Sequence, residues 1–154
     1  MSGTAIWNAA LAYTNALTTE LNSLAAGSCA VASTEYDNTT NLYTDAWVSC
    51  SLPTLATGTG APSLDVYLLP LNQDGTTYGD GTASGTVAPG SAYYVGSITW
   101  AASLASGTQV GSIQLPAGIP PTKFKLAVVN NIGNALAASG NIVAIAPDKL
   151  NLNG

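Results

Sequence analysis

Asp74 and Asp80, in the glycine-rich loop NQDGTTYGDG, are the pair of side chains best placed by type and spacing to do chemistry. With Asn72 and backbone carbonyls they would offer the oxygens that calcium takes, roughly six to eight at a time. The spacing departs from an EF-hand loop, and Asp-Gly is a common turn signal, so the plain reading of this loop is a turn. Asp45 and Asp65, on neighbouring strand patterns, would supply the two facing carboxylates of a glycosidase, but the chain has no Arg, no His and few long polar side chains to hold a sugar. Serine is abundant, yet no GxSxG elbow occurs and no His exists to activate a hydroxyl, which excludes triad-type catalysis. GTGAPS and GDGTASG lack the Lys and the strand-to-helix setting of a phosphate-binding loop. Cys29 and Cys50 form no CxxC and have no His beside them, which excludes zinc. Two buried free thiols fit these residues, as does a disulfide between adjacent strands, which needs Cα atoms within about 7 Å. The expectation is a protein with no catalytic residues, no metal, no cofactor and no small-molecule substrate.

Charge narrows the partners further. Of 154 residues only 7% are charged, and three lysines (Lys123, Lys125, Lys149) face eight carboxylates, for a net charge of -5. Neutralising phosphates needs a basic face, so nucleic acid is excluded as a partner. Hydrophobic residues reach 47%, yet no run approaches the roughly 18 apolar residues of a membrane helix, and no membrane partner is expected. The opening residues place no Lys or Arg before their apolar positions and are read as mature protein rather than a secretory signal. A surface of Ser, Thr, Asn, Gly and Ala repels neighbours weakly, which points to contact with other proteins.

The elements that would position these residues change character along the chain. In TNALTTELNSLAA, Leu17, Leu21 and Leu24 recur at helical spacing, Thr14 offers an N-cap and Gly27 a stop, predicting a short helix over 14–26. Such a helix is marginal alone. With Ile6, Trp7 and Leu11 upstream it either folds back on its own domain or forms an arm that docks on a neighbouring subunit.

After Gly27 the period falls to two. In TDAWVSCSL, Ala46, Val48, Cys50 and Leu52 take one face; in LDVYLL, Leu64, Val66 and Leu68 do; in TKFKLAVVN, Phe124, Leu126 and Val128 alternate with outward Lys123 and Lys125. CAVAS, AYYVGSITW, QVGSIQL, ALAAS and NIVAIA complete eight candidate strands, joined by turn-rich connectors, with Asn130-Asn131-Ile132-Gly133 read as a hairpin. The fold expected is all-β, a jelly-roll-like sandwich of about eight strands over residues 28–154, with an N-terminal arm and helix over 1–27. Asn72 to Ser91 is the longest connector, a length typical of functional or mobile loops.

The aromatic residues would serve as core, as protein-contact anchors or as a sugar-stacking platform, with Tyr78, Tyr93, Tyr94 and Trp100 as stacking candidates. Trp47 stands apart, because its phase sets it opposite Ala46, Val48 and Cys50 and hence outward. Ile6, Trp7, Leu11, Leu17, Leu21 and Trp47 are the candidate interface residues.

Several phrases, from ELNSLAAGS and DNTTNLYTDAWV through LDVYLLPLNQDGTTYGDG to LPAGIPPTKFKLAVVNNIGNALAASGN, together resemble a recurring small virion protein of tailed bacteriophages. The resemblance runs from about Glu20 to Ile145 and departs at the C-terminal IAPDKLNLNG. It implies a capsid decoration, or cement, protein on the outer capsid surface, bound to the major capsid protein and to neighbouring copies of itself as a homotrimer. The readings from other classes are a carbohydrate-binding module of the tail or baseplate, and a tail-tube or head-completion component.

Overall fold

The computed structural model describes residues 4–7, 12–53, 61–81, 87–100, 107–115, 118–148 and 150–153, with the backbone alone for the first and last of these segments. Among the described residues, eleven strands run in chain order: β1 Thr4–Trp7, β2 Thr14–Leu17, β3 Cys29–Val31, β4 Tyr36–Asp37, β5 Asp45–Leu52, β6 Ser63–Pro70, β7 Tyr94–Thr99, β8 Gln109–Gln114, β9 Lys123–Asn130, β10 Ile142–Asp148 and β11 Leu150–Asn153. They form two antiparallel sheets and a small ribbon. The first sheet has the order β2-β10-β5-β8, the second β3-β9-β6-β7 with β4 also on β9, and β1 pairs β11.

The pairing is nested. β2 pairs β10, β3 pairs β9, β5 pairs β8 and β6 pairs β7, as in one long antiparallel hairpin of eight strands folded back on itself. Rolling that hairpin adds the contacts β10 to β5 and β9 to β6 and splits it into two facing sheets.

Alternation explains which sides meet. Ala46, Val48, Cys50 and Leu52 of β5 face Leu64, Val66 and Leu68 of β6 and Phe124, Leu126 and Val128 of β9 across one continuous core. Fully burying each large aliphatic side chain contributes about 1.5 to 3 kcal/mol, so these strands supply the main driving force.

The segment expected as a helix is instead β2 followed by a single 3-10 turn, Thr19–Leu21. Leu17 and Leu21 sit in the core with no exposed surface. The reason is geometric: a strand end followed by a tight turn returns to the same side after four residues, as a helix does. Leu17 pairs Val143 in the sheet, and Ser23, at φ 55, carries the chain out of any helical path. Residues 14–27 therefore belong to the sandwich, not to a separate arm over 1–27.

Glu20 holds this turn. Its carboxylate accepts the N–H of Thr18 at 3.0 Å and of Ser33 at 3.0 Å. Burial works against its charge, but the hydrogen bonds from Ser33 and Thr18 outweigh it and pull the pKa from 4.5 to about 2. A carboxyl depressed by folding stabilises the fold above its unfolded pKa and loses that contribution as pH falls through the folded value. The melting temperature is expected to drop as pH falls from 4.5 to about 2, and Glu20→Gln to shrink that drop in a pH series of thermal melts.

Two other expectations change. ALAAS is not a strand, and Asn130 to Gly133 is not a hairpin turn, because β9 and β10 lie in different sheets. The connection crosses between sheets and is pinned by buried asparagines. Asn130 Nδ2 donates to Leu24 O and Asn134 O, both at 2.8 Å, while its Oδ1 accepts from Ile132 N at 3.1 Å. Asn38, fully buried, does the same for the 38–43 loop, donating to Tyr43 O and Pro120 O and accepting from Tyr43 N.

Candidate protein-interaction face

The outer faces of the two sheets differ. On the second sheet, Cys29, Leu69, Ala127 and Val129 point away from the main core yet are buried, because Tyr67, Tyr78 and Tyr93 pack over them. Tyr67 comes from β6 itself, Tyr93 from the 3-10 turn before β7 and Tyr78 from the loop after β6. Leu71 N donates to Lys123 O at 2.9 Å and Gly79 N to Pro70 O at 2.9 Å, folding the loop back onto its own sheet. Gly79, at φ +60, lies so close to Leu69 that a Cβ would come within 2.9 Å of its Cδ2.

Charged groups lock this cover. The Tyr78 hydroxyl donates to Glu35, Lys123 Nζ contacts Glu35 Oε1 at 2.6 Å and Asp37 Oδ2 at 3.9 Å, and Lys125 Nζ lies 4.9 Å from the centre of the Tyr78 ring. The two lysines expected to project from β9 do so, and both are engaged here.

On the first sheet the outer face is built in rows set by register. Trp47 lies between Ala146 and Gln114, Ser49 between Ala144 and Ser112, and Ser51 between Ile142 and Val110. Nothing ionisable stands in these rows. Asp45 and Asp148, directly opposite each other, mark their end. Trp47 is 40% exposed and Val110 65%, and Tyr13, immediately before β2, is 50% exposed. Ala144 and Ala146 are buried between them, so the face is flat with apolar side chains standing above it. A Trp in such a setting offers large apolar area at low entropic cost, the usual anchor of a protein contact.

Compared with protein-family models and with curated proteins, the chain matches none.

The candidate interface residues therefore separate. Trp47 is on the open face. Leu17 and Leu21 are in this chain's own core and offer nothing to a neighbour, a correction to the docking arm. Ile6 and Trp7 lie on β1, paired with Asn151 and Leu150 of β11; their side chains and Leu11 lie outside the described residues. Val110 was not anticipated, although the alternation in QVGSIQL sets it opposite the half-buried Ile113 and so signals it.

The residues singled out for chemistry are occupied structurally. Asp74 Oδ1 accepts Thr76 N at 3.0 Å and Thr77 N at 2.9 Å, and the hydrogen bonds of Thr77 and Thr76 hold its pKa at about 2. Asp80 Oδ2 accepts Gly90 N at 2.9 Å, and Asn72 Nδ2 donates to Gly79 O at 2.7 Å, so the three side chains serve different backbone partners. Asp65 binds Ser97 Oγ and Asn131 Nδ2 on the second sheet, away from Asp45 on the first. Cys29 and Cys50 are free thiols on different sheets, pushed up by burial to about 11 and about 12. Trp100 is buried, its Nε1 donating to Val110 O at 3.3 Å, and is no stacking surface.

Proposed function

We propose that this chain is a non-enzymatic structural protein of a bacteriophage particle, a decoration protein that lies on the outer capsid surface and binds the major capsid protein through the outer face of its first sheet. The observation that carries the reading is the asymmetry of the two faces: one has Cys29, Leu69 and Ala127 covered by the chain's own tyrosines, the other is flat, uncharged in its central rows and bears exposed Trp47 and Val110. The nested eight-strand pairing supports a jelly roll, an architecture that viral capsid and lectin domains use. A fold alone does not decide function, so the weight rests on the face. Neutral, apolar contact repeated over a lattice suits a shell-bracing role, since stable interfaces of about 1,200 to 2,000 Å² need little charge.

Mixing the purified chain with undecorated heads of the phage that encodes it and sedimenting the particles tests this. Saturable co-sedimentation is expected, with Trp47→Ala weakening it by about 30-fold, the loss typical of an interface anchor. Trp47→Ala should melt close to the wild type, because the side chain projects from the outer face, away from the main core. Failure of the wild-type chain to sediment with the heads would refute the reading.

One observation favours a second reading, sugar binding on a tail or baseplate. Tyr93 and Tyr94 line an open cleft of about 540 Å³ with Pro70, Pro120 and Pro121. Binding to host envelope polysaccharide that Tyr94→Ala abolishes would favour it.

A further inference from the structure

An antiparallel sandwich has free sheet edges, and natural proteins guard them with short strands, bulges, charges or Pro. Three of the four edges here are guarded in that way. β2 has four residues and a register break where it meets β10. β3 and β4 have three and two residues. β7 is bulged opposite Val66 and Tyr67 and contains Gly96 at φ +145.

β8 lacks these guards. Its six residues, QVGSIQ, hold an unbroken register with β5 and include no Pro and no charge. Among the described residues no strand pairs with its other side. The phase of its ladder is fixed by Leu115 N donating to Ala46 O at 2.9 Å. Alternation from that pair turns the N–H and C=O groups of Val110, Ser112 and Gln114 toward the free edge. The Val110 carbonyl is taken by Trp100, which leaves the amides of all three and the carbonyls of Ser112 and Gln114 aimed outward.

We infer that β8 pairs antiparallel with β8 of a second copy, joining two first sheets into one continuous sheet. A two-fold axis through Ser112 sets Ser112 opposite its counterpart, Gly111 opposite Ile113 and Val110 opposite Gln114, which keeps the outer faces on the same side. The chain's own charge selects the site. Two copies each at -5 repel, and an edge strand with no ionisable residue brings no like charges opposite each other. The contact is two-fold and so makes pairs, in contrast to the threefold clusters implied by the resemblance to decoration proteins. It does not depend on the virion reading.

Light scattering across a concentration series tests it, together with amide exchange of the wild-type chain. The expected particle has twice the 15.4 kDa mass of the chain, and the amides of Val110 and Ser112 gain protection as concentration rises. Ser112→Lys sets two cations against each other at the axis and is expected to weaken the pair at least tenfold, while Asn15→Lys, on the β2 edge, leaves it intact. Should Ser112→Lys fail to fold, the exchange series on the wild type decides alone. A single-chain mass at every concentration with no gain in protection overturns the inference. So does a pair that Ser112→Lys leaves unchanged.

Discussion

Removing residues 1–26 is expected to leave no folded domain. Leu17 and Leu21 are wholly buried and Leu24 packs against the same core. Truncating one buried Leu to Ala costs roughly 2 to 5 kcal/mol, against a total stability of about 5 to 15 kcal/mol for an ordinary domain. The deletion also removes β2, which exposes the edge of β10, and strands the partners of the turn. Ser23 N donates to Ala137 O and Leu136 N to Leu24 O, so the crossing between β9 and β10 loses its anchor. Leu21→Ala is the graded form of the experiment and should lower the unfolding free energy by roughly 2 to 5 kcal/mol in urea titration. A truncated chain that melts cooperatively would show that this segment is a separable arm.

Asn130→Ala is expected to cost roughly 3 to 5 kcal/mol. The side chain is fully buried and reaches Leu24 O, Asn134 O and Ile132 N, tying the N-terminal turn, the end of β9 and the crossing loop at one point. Its loss strands buried polar groups, each of which costs about 1 to 3 kcal/mol. Asn131, one residue on, provides the comparison: it is exposed and donates to Asp65 Oδ2 at 2.7 Å. Asn131→Ala should cost at most about 1 kcal/mol. Urea titrations of the two variants check the contrast, and equal costs would contradict the role given to Asn130.

The central strands were legible in the sequence because their burial is one-sided. Period-two patterns in 45–52, 64–69 and 123–128 mark β5, β6 and β9, and the outward phase of Trp47 follows from its apolar neighbours. The leucines of 17–24 were misleading for a physical reason: spacing records that residues return to one side, not which backbone returns them. β1, β4 and β11 are pieces of four, two and four residues, too short to show a period. The covering of the second sheet's outer face was not legible. It depends on Tyr78 reaching Glu35, 43 residues away in the chain, and on the loop after β6 folding back over its own sheet. That tertiary decision makes Tyr78, in the described part of the longest connector, a cover for Cys29 and Leu69.

Hydroxyl-radical footprinting of the free chain against the particle-bound chain measures the open face directly, because solvent access sets the oxidation rate of aromatic side chains. The structure predicts that Trp47, 40% exposed when free, loses most of its reactivity on the particle while Tyr93 and Tyr94 keep theirs. Unchanged reactivity at Trp47, or protection confined to the two tyrosines, would contradict docking through the first sheet.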